Sequence, residues 1–247
     1  MAARIGTSDA TVIRAVKALG FQGLPELKRE LAALFGKGRT PADNLSRTLA
    51  EPVTDAGSAI DMVLAFHHNT IAAIRTGQVR TQIAAAIKVL KPARRICLFG
   101  IGPSALLVRY AALLLGRNGR RTMTLDATGS ALADQLLALG DASALLMLAY
   151  GRTYREAATT IAEARRLKIP IILISDSLDE RLTRAVDIVV PVPRGQPEQV
   201  ALHGATFICL EAIVLGLAAS ERDAALARLE KLDMLRKSIT PVGRKGV

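Results

Sequence analysis

The stretch RICLFGIGPSALLVRYAALLLG at residues 95–116 decides the fold: a short apolar run, a turn with two glycines, and a long segment of helical composition. A continuous apolar run of this length predicts a buried β-strand, and the proline suits the first position of a helix. Further strand-like runs follow at residues 121–126, 142–150, 170–176 and 187–193. Parallel strands need crossover connections, so this alternation predicts an α/β fold with a five-stranded, doubly wound parallel sheet.

Helical segments precede and follow the predicted strands in the sequence. Residues 57–90 have the composition of two amphipathic helices broken near residue 76, and residues 199–220 predict a final apolar helix. Breakers and polar residues at 36–44 indicate a linker. We therefore expect four parts, namely a partial all-α domain at 1–36, a linker at 37–56, an α/β domain at 57–230 and a basic tail at 231–247.

Composition and charge narrow the classes of protein. The chain has 247 residues, of which 50% are hydrophobic, and no apolar run approaches the roughly 20 residues of a membrane span. No secretory signal is evident, so we expect a cytoplasmic protein without a membrane partner. Cys97 and Cys209 lie in apolar runs and are expected to be buried without a redox role.

The basic charge lies mainly at the two ends of the chain. Residues 1–50 and residues 231–247 each carry a net charge of +4 out of a total of +11. Basic segments beside a nearly neutral body fit contact with a polyanion, although a basic terminus is often simply solvated. Aromatic residues are only 3% of the chain, which disfavours a platform for single-stranded nucleic acid and favours a duplex.

The N-terminal segment has a helix-turn-helix pattern. After a glycine at position 6 and a polar cap, residues 9–19 carry apolar side chains at helical spacing. The opposite face of this helix would present polar and basic groups, as a helix that enters the major groove requires. The residues expected to contact DNA are Ser8, Thr11, Arg14 and Lys17. An amphipathic surface helix with solvated cations is the alternative.

The sequences GTSDATVIR at residues 6–14 and ALGFQGLPELK at residues 18–28 resemble the second half of the helix-turn-helix domain of RpiR-type bacterial transcriptional regulators. In that family the domain is joined to a SIS (sugar isomerase) domain, a five-stranded doubly wound sheet that senses phosphosugars. The resemblance extends over nearly the whole chain. Because the family's domain begins with further helices, we expect Met1 to lie inside a longer reading frame, with a truncated gene as the alternative.

Two turns are the candidate ligand site. Glycines after the first strand let a ligand approach the backbone, and free N–H groups at the following helix favour an anion. A lone GxGxS is a weak signal, and its spacing differs from that of a nicotinamide-binding turn, so no cofactor is expected. The resemblance implies that this turn walls a phosphosugar pocket. The positions concerned are Gly100, Gly102 and Ser104.

The turn after the third strand departs from the family pattern. SIS domains usually carry S-x-S-G-x-T-x-E here, and this chain keeps Gly151, Thr153 and Glu156. Leu148 and Tyr150 stand where the two serines belong, so two phosphate-binding hydroxyls are missing. Arg152, together with Arg155, could supply charge instead, because guanidinium groups bind phosphate bidentately; alternatively both are solvated and the pocket is altered or empty.

No catalytic constellation is evident. His203 and Glu156 are the candidates for a general base, but each is more often a structural residue. His67 and His68 have no third ligand nearby in sequence, so no metal is expected.

The leading hypothesis is a regulator, a homodimer or higher oligomer, that binds double-stranded DNA under control of a phosphosugar-like effector. The helices at 57–90 and 197–219 are candidates for the dimer interface. The alternatives are a phosphosugar isomerase or related enzyme, and a SIS sensor or assembly module that has lost DNA binding.

Overall fold

The computed structural model describes residues 9–18, 21, 23, 40–50, 53–75, 77–151, 154–176, 180–195 and 199–239. The chain divides into two compact units. The smaller unit contains Met1–Thr54 and Pro197–Val200, and the larger unit contains Asp55–Gln196 and Ala201–Val247.

The smaller unit contains two described helices, α1 (Asp9–Ala18) and α2 (Pro41–Thr48). Among the side chains of α1 that the structure describes, Val16 is buried and Ile13 is about half exposed. Helix α2 begins with a capping box, in which Thr40 Oγ1 accepts from the Asp43 backbone N–H and the Asp43 carboxylate accepts from the Thr40 N–H. This helix starts inside the stretch that we expected to be a linker.

The larger unit is built on a five-stranded sheet in which every pair is parallel, in the order β2-β1-β3-β4-β5. The predicted α/β class and doubly wound sheet are confirmed. The strands are β1 (Arg95–Phe99), β2 (Arg121–Leu125), β3 (Ala144–Leu148), β4 (Ile171–Ser175) and β5 (Ile188–Pro191).

Eight α-helices accompany the sheet in the described part of the larger unit. They are α3 (Ala56–Ile74), α4 (Gly77–Leu90), α5 (Pro103–Arg117), α6 (Gly129–Leu137), α7 (Arg155–Arg166), α8 (Glu180–Thr183), α9 (Gly204–Ser220) and α10 (Arg222–Ile239). A short 3₁₀ turn, Ala138–Asp141, follows α6. The predicted break near residue 76 falls between α3 and α4. Helix α10 continues to Ile239, so the expected start of the tail at 231 falls within a helix.

The sheet buries both of its faces. All residues of β3 and β4 are buried, which explains why their sequences are continuous apolar runs rather than alternating ones. Along β1, Ile96 and Leu98 join the core beneath α4, α5 and α9, whereas Cys97 and Phe99 join the core beneath α6 and α7. Each face therefore has its own layer of helices.

Both cysteines are fully buried, as expected, but on opposite faces of the sheet. Burial raises the pKa of the Cys97 and Cys209 thiols to about 12. Both side chains therefore act as small apolar groups within the core.

Among the described residues, no single helix has both the length and the apolar character to cross a membrane. Helices α9 and α10 meet these criteria only when they are taken together, and the chain bends by 106° between them.

Candidate functional site

The carboxyl ends of β1 and β3 form the natural place for a ligand in this sheet. The chain leaves β1 for β2 on one side and returns to place β3 on the other side. Loops that follow adjacent strands diverge at such a reversal and leave a crevice between them. The two turns expected from the sequence, at residues 100–104 and 149–151, both lie at this edge.

The first turn owes its shape to its glycines. A Cβ atom on Gly100 would lie 2.8 Å from the Ser104 carbonyl oxygen, so the approach of α5 to β1 excludes a side chain there. Gly102 has φ 59° and ψ −134°, a conformation that residues with a side chain rarely adopt, and Pro103 follows as the first residue of α5. Ser104 is buried within the first turn of the helix.

The second turn contains the two departures from the serine pattern. Leu148 is fully buried at the end of β3, and Tyr150 is only 9% exposed. The Tyr150 hydroxyl lies 2.7 Å from Thr206 Oγ1 in the first turns of α9, in a hydrogen bond that either oxygen could donate. Position 150 therefore connects the end of a strand to a helix on the sheet face instead of presenting a hydroxyl to the crevice.

Other predicted residues of this turn are placed as follows. Gly151 has φ 69° and donates its N–H to Asp176 Oδ1 at 3.2 Å. Glu156 lies partly exposed in the first turn of α7, next to the exposed Arg155. Arg152 and Thr153 lie outside the described residues.

Four further residues lie at this edge. His203 was a candidate general base, and the other three belong to no motif that predicts ligand binding. Asp176 follows β4, Arg194 follows β5, His203 occupies the cap position of α9, and Thr206 lies within α9. Arg194 Nε donates to Asp176 Oδ2 at 3.0 Å, and the Arg194 guanidinium carbon lies 3.9 Å from the centroid of the Tyr150 ring. The strand order shows that the loops after β4 and β5 reach the same edge as the two predicted turns.

Arg194 is a cation at this edge whose side chain contacts both Tyr150 and Asp176. Burial and the Arg194 charge lower the pKa of His203, whose ring packs edge-on against Tyr150 at 5.8 Å between centroids. Burial raises the pKa of Tyr150 above its usual range and that of Tyr154 to about 12. The imidazole and both phenols are therefore neutral near pH 7.

The candidate DNA-contacting residues lie on α1 in the smaller unit. Thr11, Arg14 and Lys17 are exposed and spaced three residues apart, which places them along one side of the helix. Ser8 lies outside the described residues. Within the described ranges, no group of three His, Cys, Asp or Glu side chains could hold a metal ion.

These features define a doubly wound α/β domain with the strand order 2-1-3-4-5. The profile of the SIS domain family matches residues 89–220, more than half of the chain. The chain therefore belongs to the SIS domain family.

Known proteins similar to this chain include transcriptional regulators. An uncharacterised HTH-type transcriptional regulator from Haemophilus influenzae is 24% identical over 237 residues, which cover 94% of this chain and 81% of the relative. The sugar isomerase domain of an RpiR transcription factor from Sphaerobacter thermophilus is 23% identical, with a TM-score of 0.59 over 69% of this chain and 97% of that domain.

A third similarity spans almost the whole chain. The structure of the Vibrio vulnificus NanR protein complexed with ManNAc-6P is 20% identical, with a TM-score of 0.58 over 97% of this chain and 85% of NanR. The predicted resemblance to RpiR-type regulators is confirmed by these matches.

Proposed function

We propose that this protein is a DNA-binding transcriptional regulator whose SIS domain binds a phosphosugar-like effector. The observation that carries the proposal is the extent of the similarity to a regulator, which covers 94% of the chain and so extends well beyond the SIS domain. An isomerase has no use for an exposed helix with cations along one side. Double-stranded DNA as the partner implies a cytoplasmic location.

The effector site of this proposal is the crevice at the carboxyl edge of the sheet. The residues that we assign to it are Gly100, Gly102, Ser104, Gly151, Arg152, Thr153 and Glu156. The glycine turn and the start of α5 support an anionic ligand, because a helix start offers free N–H groups. NanR is a precedent for a similar fold in complex with a sugar phosphate.

A homodimer is part of the same proposal. Helix-turn-helix proteins read two half-sites with two copies of the recognition helix. Large exposed apolar side chains on α5 and α9, among them Leu106, Leu113 and Leu215, support an interface on that face of the SIS domain.

The experiment that tests the regulator is the selection of bound DNA from fragmented genomic DNA with the full chain. We expect discrete sites to be enriched and their affinity to fall as salt rises, because phosphate contacts release counterions. Arg14→Ala and Lys17→Ala should each weaken binding by about 10-fold, whereas Lys88→Ala, on an exposed face of α4, serves as the matched control.

Two outcomes contradict the proposal. Enrichment of no discrete site, or binding that the α1 substitutions leave unchanged, would remove the DNA-reading role. Turnover of hexose 6-phosphates, followed by NMR, would instead support the isomerase alternative.

A further inference from the structure

Arg194 is a partly exposed cation that its surroundings hold in one orientation. Its side chain is 20% exposed, in the loop that follows β5. The guanidinium carbon lies 3.9 Å from the centroid of the Tyr150 ring, within the range of a cation–π contact. Contact with the aromatic face restricts the guanidinium group, so the Arg194 side chain loses little conformational entropy when it binds a ligand.

Asp176 fixes one edge of the same guanidinium group. Its Oδ2 accepts from Arg194 Nε at 3.0 Å, and its Oδ1 accepts from the Gly151 N–H at 3.2 Å. Among the described residues, Arg194 Nη1 and Nη2 have no hydrogen-bond partner. The pair of terminal nitrogens is therefore available to bind two oxygens of a phosphate or a carboxylate.

The residue at position 150 connects this arrangement to the missing hydroxyls. A serine at this position would offer one hydroxyl and no aromatic face. Tyr150 directs its hydroxyl to Thr206 and supports Arg194 with its ring instead. The same side chain that removes a neutral phosphate donor from the turn thus provides the surface on which a charged donor rests.

We propose that Arg194 binds the anionic group of the effector, in place of the hydroxyls expected at positions 148 and 150. The proposal rests on the proposed function, since it assumes that the crevice binds a sugar derivative. The ligand class is a sugar that carries a phosphate or a carboxylate. Arg155 lies on the exposed surface at the start of α7, and among the described residues it has no counterpart of the Tyr150 and Asp176 contacts that hold Arg194.

The test is calorimetric titration of the full chain with hexose 6-phosphates, the corresponding hexuronates and the unphosphorylated hexoses. Arg194→Ala is expected to weaken binding of the anionic sugar by about 10- to 100-fold, as expected for loss of hydrogen bonds to a charged group. Arg194→Met, which keeps an apolar stem over the ring, should show the same loss. Arg166→Ala, at the far end of α7, is the matched control and should bind as the unaltered chain does.

The three ligand sets separate the chemical sources of the anion. One set should bind to the unaltered chain and fail to bind to Arg194→Met. That set shows whether the anionic group that Arg194 binds is a phosphate or a carboxylate. Far-UV circular dichroism and the unfolding temperature establish that both variants are folded. A folded Arg194→Met that binds anionic sugars normally, or loss of binding in Arg155→Ala alone, overturns the role of Arg194 and leaves the regulator proposal intact.

Two further results have distinct meanings. If the unaltered chain binds only neutral sugars, or no member of the panel, the role of Arg194 and the phosphosugar class of effector are both overturned. If no DNA is selected but Arg194→Met loses anionic sugars, the regulator proposal fails and the role of Arg194 stands.

Discussion

At the residue scale, the environment of His203 favours the neutral imidazole. The side chain is half-buried at the start of α9, with the Tyr150 ring on one side and the Arg194 charge nearby. Its Nδ1 atom is buried without a hydrogen-bond partner among the described residues. Protonation of His203 would therefore place a second cation beside Arg194. The negative charge of the Asp176 carboxylate offsets part of this repulsion.

This environment predicts how stability depends on pH. The pKa of His203 is lowered in the folded chain from an ordinary value of 6.5, so below that pH the unfolded chain binds more protons than the folded one. The free energy of unfolding should fall as the pH drops through 6.5 toward the lower folded pKa. His203→Gln should lose less stability than the unaltered chain over this window, as measured by urea unfolding from about pH 8 to about pH 5.

His68→Gln is the control for this measurement, because His68 lies on an exposed part of α3. Its pH profile should be parallel to that of the unaltered chain. A His203→Gln profile that is also parallel would contradict the neutral imidazole.

The residues at this edge show where sequence reasoning stops. The glycine turns could be predicted because a positive φ and a close approach to α5 are local demands that glycine meets. The partners of Tyr150 could not be predicted, since Thr206 lies 56 positions away in α9 and Arg194 lies 44 positions away after β5, and only the fold brings them to Tyr150. Asp176 was overlooked because a single carboxylate after a strand carries no spacing signal.

At the scale of elements, α9 is held close to its neighbours at two glycines. An ideal Cβ atom on Gly204 would lie 2.4 Å from His67 Cε1, with two more atoms of that ring within 2.9 Å. An ideal Cβ atom on Gly216 would lie 2.4 Å from Ile87 Cδ1, the flexible end of a side chain on α4. Glycine at these positions therefore sets how closely α9 approaches α3 and α4.

The two glycines should respond differently to alanine. Gly204→Ala must displace a whole imidazole ring and is expected to lower the free energy of unfolding by about 1–3 kcal/mol. In Gly216→Ala the Ile87 end can rotate away, and the higher helix propensity of alanine, worth about 1 kcal/mol, offsets the remaining crowding. Urea unfolding measures both effects.

A double variant checks the cause of the larger effect. His67→Ala removes the ring that obstructs Gly204→Ala, so the combined loss should be smaller than the sum of the two single losses. Additive losses would mean that the contact with His67 is not the reason.

Elements were predictable to the extent that burial determines their sequence. The five strands were located to within two residues because a parallel sheet between helix layers requires uninterrupted apolar runs. The bounds of the last two helices were harder to predict. Residues 199–203 continue the apolar pattern but precede α9, which begins at Gly204, and α10 is so rich in charge that its second half looks like a basic tail.

At the scale of the whole molecule, the proposed dimer predicts an effect confined to one face. Leu215 on α9 is 68% exposed, and Leu137 on α6, which covers the opposite face of the sheet, is 85% exposed. Leu215→Glu should convert a dimer to a monomer, because it places a charge in a buried apolar contact. Light scattering after size-exclusion chromatography gives the mass.

Leu137→Glu is the control and should leave the mass unchanged. A monomeric unaltered chain, or dissociation caused equally by both substitutions, would contradict an interface on the α5 and α9 face.

The strand order has a consequence for the chain while it is being made. The ribosome delivers β1 first among the strands, yet both neighbours of β1 are synthesised later, and α9 emerges only after β5. At a translation rate of about 5–20 residues per second, a few seconds pass between the synthesis of β5 and that of α9, the helix that completes the cover of one face of the sheet. During translation that uncovered apolar face is the place where a nascent chain of this protein is most exposed to aggregation and most open to a chaperone.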